Sequence, residues 1–119
     1  AKNTVVLGAS TNPDRYSYLA MNKLKAYGHP VVAIGKRPAT VNDINIITDT
    51  PALTNVNTVT LYLNPANQLP YYDYILSLKP KRIIFNPGTE NPELAALATA
   101  NNIDPVEACT LVMLSTNQY

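Results

Sequence analysis

The chain has no tryptophan, one phenylalanine, one histidine and one cysteine among its 119 residues. The single cysteine, Cys109, excludes an internal disulfide framework and fits a reducing, cytoplasmic setting. Together with His29 it falls short of the ligand set of a Cys/His zinc site. No apolar run approaches the ~20 residues that a membrane span needs. Nor does a basic, apolar, small-residue leader precede the first apolar run, so neither a membrane protein nor an exported one is expected. Charge is sparse too, at 14% of residues and a net +1, which argues against a nucleic-acid footprint.

The remaining composition is globular. With 46% hydrophobic residues over this length, one domain covering residues 1–119 is expected. Apolar strand patterns alternate with helical ones. Strands are expected at Asn3–Leu7, Val31–Ile34, Thr58–Leu63, Arg82–Phe85 and Asp104–Glu107. Helices are expected over Pro13–Tyr27, capped by Gly28, over Tyr71–Leu78 after a break at Pro70, and from Asn91-Pro92-Glu93 to Ala100. In the first helix the apolar positions Leu19, Ala20, Leu24 and Tyr27 suggest the buried face. Residues 35–57 read as irregular, with a short apolar piece at Ile44–Ile47 and one helical turn opened by Asp49-Thr50-Pro51. Cys109–Leu114 reads as an apolar closing segment. The fold class is therefore α/β: a doubly wound, Rossmann-like parallel sheet of about five strands.

In such a sheet, ligands lie beyond the C-terminal ends of the strands. Val5-Val6-Leu7 followed by Gly8-Ala9-Ser10-Thr11-Asn12-Pro13 reads as strand, tight turn and helix start. Backbone N–H groups there, at the positive end of a helix dipole, suit phosphate. A G-x-G-x-x-G fingerprint would place glycine at positions 8, 10 and 13, and the chain has Gly8, Ser10 and Pro13. At the second strand exit, an NAD site carries an acid for the ribose 2′-hydroxyl. This chain has Gly35-Lys36-Arg37 instead. Residues 1–40 hold six cations against the single acid Asp14, whereas residues 41–119 hold three cations against seven acids. A nucleotide with an extra phosphate on its sugar is implied, either NADP or coenzyme A.

The segments VVLGASTNPDRYSYLA, AIGKRP, TVTLYLNP, PKRIIFNPGTEN and EACTLVML resemble the small stand-alone coenzyme A-binding domain proteins of bacteria and archaea. The resemblance spans Asn3 to Tyr119. More distantly the chain is similar to the N-terminal coenzyme A-binding domain of the succinyl-CoA synthetase alpha subunit. The resemblance implies that Gly8, Ala9, Ser10, Thr11 and Asn12 wrap the phosphates and that Arg15 and Ser17 support them. It implies that Lys36 or Arg37 contacts the phosphorylated end. It also implies that Leu63, Asn64 and Pro65, with Asn86, Pro87 and Gly88, line the cleft for adenine or pantetheine. The chain departs from the commoner form at Gly35, where those proteins tend to carry Asn-Pro.

Few residues offer catalysis. The synthetase alpha subunit pairs this domain with a second one carrying a phosphorylated histidine, and no such domain is expected within residues 1–119. His29 falls between the first helix and second strand, at the end of the sheet away from the strand exits. Glu90, in the loop after the fourth expected strand, reads either as a base or hydroxyl-binding group or as support for the helix start that follows it. Cys109 reads as a small buried hydrophobe. Tyr71, Tyr72 and Tyr74 read as helix packing or a protein interface. The expected function is binding of coenzyme A or an acyl-CoA without chemistry of its own. The alternatives are an NADP-dependent oxidoreductase and a regulatory subunit of an acyl-CoA ligase, with a ligase-like partner or a second copy of the chain as candidate partners.

Overall fold

The computed structural model describes residues 1–119. Seven strands form one sheet: β1 (Thr4–Ala9), β2 (Val31–Gly35), β3 (Ala39–Val41), β4 (Ile44–Ile47), β5 (Thr58–Leu61), β6 (Arg82–Phe85) and β7 (Asp104–Glu107). Their spatial order is β3-β4-β2-β1-β5-β6-β7. Every pairing is parallel except β3 with β4. Counting the parallel strands alone in chain order gives 3-2-1-4-5-6, the doubly wound Rossmann arrangement. The order reverses between β1 and β5, which pair from Thr4↔Thr58 to Leu7↔Leu61.

Helices cover the sheet: α1 (Tyr16–Ala26), α2 (Pro65–Gln68), α3 (Tyr72–Leu78), α4 (Pro92–Ala100) and α5 (Thr110–Ser115), with a 3₁₀ turn at Leu69–Tyr71. Strand alternation sorts the core into two layers. Val5 and Leu7 of β1 point to one side with Ile34, Val59, Leu61, Ile83 and Phe85, where Ile75 of α3 and Leu94 of α4 meet them. Val6, Ala33 and Ile84 point to the other, against Met21 and Leu24 of α1 and Leu114 of α5. Each fully buried side chain of this size stabilises the fold by roughly 1.5–3 kcal/mol. None of the helices is long and apolar enough to cross a membrane.

The sheet has two more strands than the five expected. Ala39–Val41 and Ile44–Ile47 form a hairpin about Asn42 and Asp43, both at positive φ (47° and 66°). Such a turn matches the twist of the flanking strands, and β4 then extends the sheet beside β2 through Ala33↔Ile46 and Ile34↔Ile47. No helical turn forms at Asp49–Pro51; the Pro51 carbonyl instead accepts from the Tyr74 hydroxyl (2.8 Å). Helix α1 begins three residues later than expected, because the Asn12 side chain accepts the Asp14 N–H (3.0 Å) and closes a turn there. Its buried face is Ser17, Ala20, Met21 and Leu24, leaving Leu19 and Tyr27 exposed. The closing apolar segment is helix α5, and Cys109 before it is half-buried. The break at Pro70 and the left-handed Gly28 fall where the sequence places them, and Asn102 after α4 is left-handed as well (φ 60°).

Candidate functional site

A cleft of about 630 Å³ opens at the C-terminal ends of β1, β2 and β5, at the point where strand order reverses. Its floor depends on two glycines. Register slips between Leu7 and Ala9, so Gly8 bulges out of β1 at φ +93°. A Cβ there would meet the Tyr62 carbonyl carbon at 3.0 Å. Gly35 ends β2 under the same turn, and a Cβ on it would sit 2.5 Å from the Ala9 carbonyl oxygen. Only hydrogen at both positions lets the first loop lie down on the neighbouring strands.

The loop then folds on itself. The Asn12 N–H donates to Ser10 Oγ (3.0 Å), and the Arg15 N–H donates to the Asn12 carbonyl (3.0 Å). Arg15 is the N-cap of α1 in extended conformation, without a side-chain cap and with no acid in the first helical turn. A cation at this position opposes the helix dipole unless an anion lies nearby. Ser17 is 3% exposed, lines the cleft, and its hydroxyl has no hydrogen-bond partner within the protein. With no partner inside the protein, that hydroxyl is a donor available in the first turn of α1, whereas the buried unpaired hydroxyl of the cleft lining is that of Tyr62.

Charge around the cleft has one sign. Arg15, Lys36 and Arg37 line it, and no acid does. The one ion pair in the protein, Lys25–Asp43 at 3.7 Å, lies elsewhere, so none of the three cations is neutralised internally. The opposite wall is mostly apolar: Tyr62, Leu63, Pro70 and Tyr71, with Asn67 among them and Ile46 facing from β4. Burial pushes the Tyr62 phenol up to about 12, against the opposing effect of the Thr110 and Thr60 hydroxyls, so it stays neutral near pH 7.

The structure brings Gly8, Ala9, Ser10, Thr11, Arg15, Ser17, Lys36, Arg37 and Leu63 to this one cleft. Asn12, Asn64, Pro65, Asn86, Pro87 and Gly88 are not among its lining residues. Asn12 spends its side chain on the turn before α1. The Asn64 side chain caps α2 by accepting the Asn67 N–H (2.9 Å), with Pro65 in the first helical position. Asn86 is 3% exposed and committed inward: it donates to Thr60 Oγ1 (2.7 Å) and the Leu61 carbonyl (2.9 Å), and accepts from the Thr110 N–H (2.9 Å). It fastens β6 to β5 and to the start of α5. Gly88 turns at φ +89°, and its N–H donates to Glu90 Oε1 (2.8 Å), so Glu90 supports that turn while Asn91 caps α4.

Sequence reasoning missed Gly35, Ile46, Tyr62, Asn67, Pro70 and Tyr71 as lining residues. Gly35 carried a signal, glycine in place of the usual Asn-Pro. Ile46 carried none, because its approach depends on the unforeseen pairing of β4. Tyr71 reads as packing and does pack on the core, while its exposed part faces the cleft. His29 lies at the other end of β2, where its Nδ1 accepts the Lys2 N–H (3.0 Å).

The family model described as CoA binding domain matches residues 2–115. None of the curated proteins matches the chain. Among solved structures, one described as an uncharacterized protein is 52% identical, with a TM-score of 0.96 over 99% of this chain and 98% of that one. A hypothetical protein from Pyrococcus horikoshii is 20% identical, with a TM-score of 0.87 over 97% of this chain and 82% of that one. A Thermus thermophilus structure is 19% identical, with a TM-score of 0.85 over 100% and 91%. The two distant likenesses share the fold.

Proposed function

The chain belongs to the CoA-binding domain family, and we propose that its cleft binds coenzyme A or an acyl-CoA without chemistry of its own. The observation that carries this reading is the set of three unpaired cations, Arg15, Lys36 and Arg37, around a cleft without an acid at the reversal of strand order. Coenzyme A carries a pyrophosphate and a ribose 3′-phosphate, two separate anionic centres. The free first turn of α1, with the unused Ser17 hydroxyl and Arg15, suits the pyrophosphate. Lys36 and Arg37, at the end of β2, suit the 3′-phosphate. The apolar wall at Leu63, Pro70 and Tyr71 suits adenine or pantetheine, which need area rather than charge. The polar side chains of the lining other than the cations are hydroxyls and one amide, Asn67, groups that donate hydrogen bonds to phosphate.

Thermal unfolding with coenzyme A, acetyl-CoA, NADP and NAD in parallel tests the reading. A ligand at 100 times its dissociation constant adds about 2.7 kcal/mol, a shift on the order of ten degrees for a domain of this size. Coenzyme A and acetyl-CoA give that shift, and NAD gives little. Equal shifts from NAD and coenzyme A would remove the charge argument. The absence of a shift from all four would end the nucleotide reading.

A further inference from the structure

The apolar wall of the cleft stands on a weak piece of chain. Leu63, Asn67, Pro70 and Tyr71 belong to or flank α2, four residues long, and the 3₁₀ turn that follows it. Helical segments this short do not persist alone, because nucleation costs more than so few hydrogen bonds return. Gln68 lies at their junction, does not line the cleft, and is 0% exposed. Its Nε2 donates to the Leu63 carbonyl (2.8 Å) and to the Thr89 carbonyl (2.8 Å), and its Oε1 accepts from Asn91 Nδ2 (2.9 Å). The second proton of that Asn91 amide goes to the Tyr72 hydroxyl (2.7 Å), while Asn91 Oδ1 accepts the Leu94 N–H (3.2 Å). Both amide groups therefore use both protons and their oxygen inside the protein, and satisfied buried networks of this kind hold one geometry.

We infer that Gln68 is a positioning residue for the ligand, fixing the apolar wall against the loop after β6 at the distance coenzyme A requires from the cationic wall. This role rests on the coenzyme A reading of the cleft. The network joins Leu63, a lining residue, to Thr89 and Asn91 through one side chain, so loosening it moves the wall while every ligand-facing side chain stays in place chemically. It also accounts for the segment after β6, where Thr89 and Asn91 are buried and face Gln68 rather than solvent.

Gln68→Met keeps nearly the volume and deletes all three hydrogen bonds. Coenzyme A affinity is measured calorimetrically at 25 °C, after circular dichroism has established that the variant is folded at that temperature. The expected result is a dissociation constant at least tenfold higher. Thr58→Val is the control: Thr58 is 0% exposed, accepts from Arg82 Nε (2.8 Å), and lies at the opposite end of β5. It lowers the melting temperature and leaves affinity within twofold. Asn91→Asp retains an acceptor for the Leu94 N–H but loses both amide donors, and it weakens coenzyme A in the same direction. If Gln68→Met does not fold, Asn91→Asp decides. A folded Gln68→Met or Asn91→Asp with unchanged affinity overturns the role, as does an equal loss in Thr58→Val. If the unaltered chain binds no coenzyme A, the reading of the cleft fails first and this role with it.

Discussion

Gly35→Ala isolates the packing between the first loop and the second strand. The substitution adds one methyl group in a backbone conformation that alanine accepts, since Gly35 is not among the residues at positive φ. Its effect is therefore steric. The new Cβ would stand 2.5 Å from the Ala9 carbonyl oxygen and 3.0 Å from Ile46 Cγ2, whereas ordinary contact begins at 3.4 Å. Ala9 must retreat by the better part of an ångström, because the nearest atom is backbone and Gly35 is held in β2 by its pairing with β1. Overpacking a core by this amount costs about 1–3 kcal/mol. At about 3–6 degrees per kcal/mol for a chain of this length, melting falls by roughly 3–18 degrees. The same retreat lifts Ser10 and Thr11 from their place in the cleft, so coenzyme A affinity falls about tenfold, or ~1.4 kcal/mol. Gly28→Ala is the comparison, since Gly28 has φ +83° with nothing within 4 Å of the added atom. It costs about 1–2 kcal/mol through backbone conformation and leaves affinity unchanged. Calorimetry and thermal unfolding on both variants give the answer. Gly35→Ala with native affinity and native stability would refute the close approach on which the floor of the cleft depends.

Three further outcomes are expected. Lys36→Ala with Arg37→Ala weakens coenzyme A more than 3′-dephospho-coenzyme A, by roughly 1.5–3 kcal/mol for each charge-assisted hydrogen bond removed; equal effects on the two ligands by titration calorimetry would move the pair away from the ribose phosphate. His29 is held below its ordinary pKa by burial and by the positive charges of the amino terminus, Lys2 and Arg82. The folded protein then binds fewer protons than the unfolded one, so His29 costs stability as pH falls through about 6.5, and denaturant melts of His29→Asn between pH 7 and 5 lose that part of the slope. Cys109, half-buried and absent from the cleft lining, forms no mixed disulfide with oxidised coenzyme A; a stoichiometric adduct by intact mass, abolished in Cys109→Ser, would place the thiol within reach of the ligand.

The cationic half of the cleft was legible in the sequence because its signals are local. Gly8 ends an apolar strand run, Lys36-Arg37 stand where an acid is otherwise expected, and strand alternation names the core layers. The β3–β4 hairpin was not legible. Strands of three and four residues carry little periodicity, and the turn is Asn42-Asp43 without the glycine that ordinarily marks such a turn. The apolar wall was only partly legible, through Leu63, for a different reason. Asn64, Asn86 and Gly88 look like ligand-facing turn residues, and their polar groups instead close α2, join β6 to α5 and shape the loop before α4. A buried asparagine and an exposed one are the same letter. The partners that separate them, such as Thr110 for Asn86 or Asn91 for Gln68, lie more than twenty residues away.

The reversal of strand order has a mechanical consequence. One side of the sheet, from β1 to β4, is chain before residue 48, and the other, from β5 to β7, is chain after residue 57; within the sheet they meet only along the β1–β5 seam. The cleft lies across that seam, with cations from the first half on one bank and Leu63 to Tyr71 from the second on the other. A molecule spanning both banks is a cross-brace between two half-sheets whose strands otherwise share four residue pairs of one ladder. Its binding therefore slows amide hydrogen exchange on both sides of the seam, including in β6, which no ligand atom needs to touch.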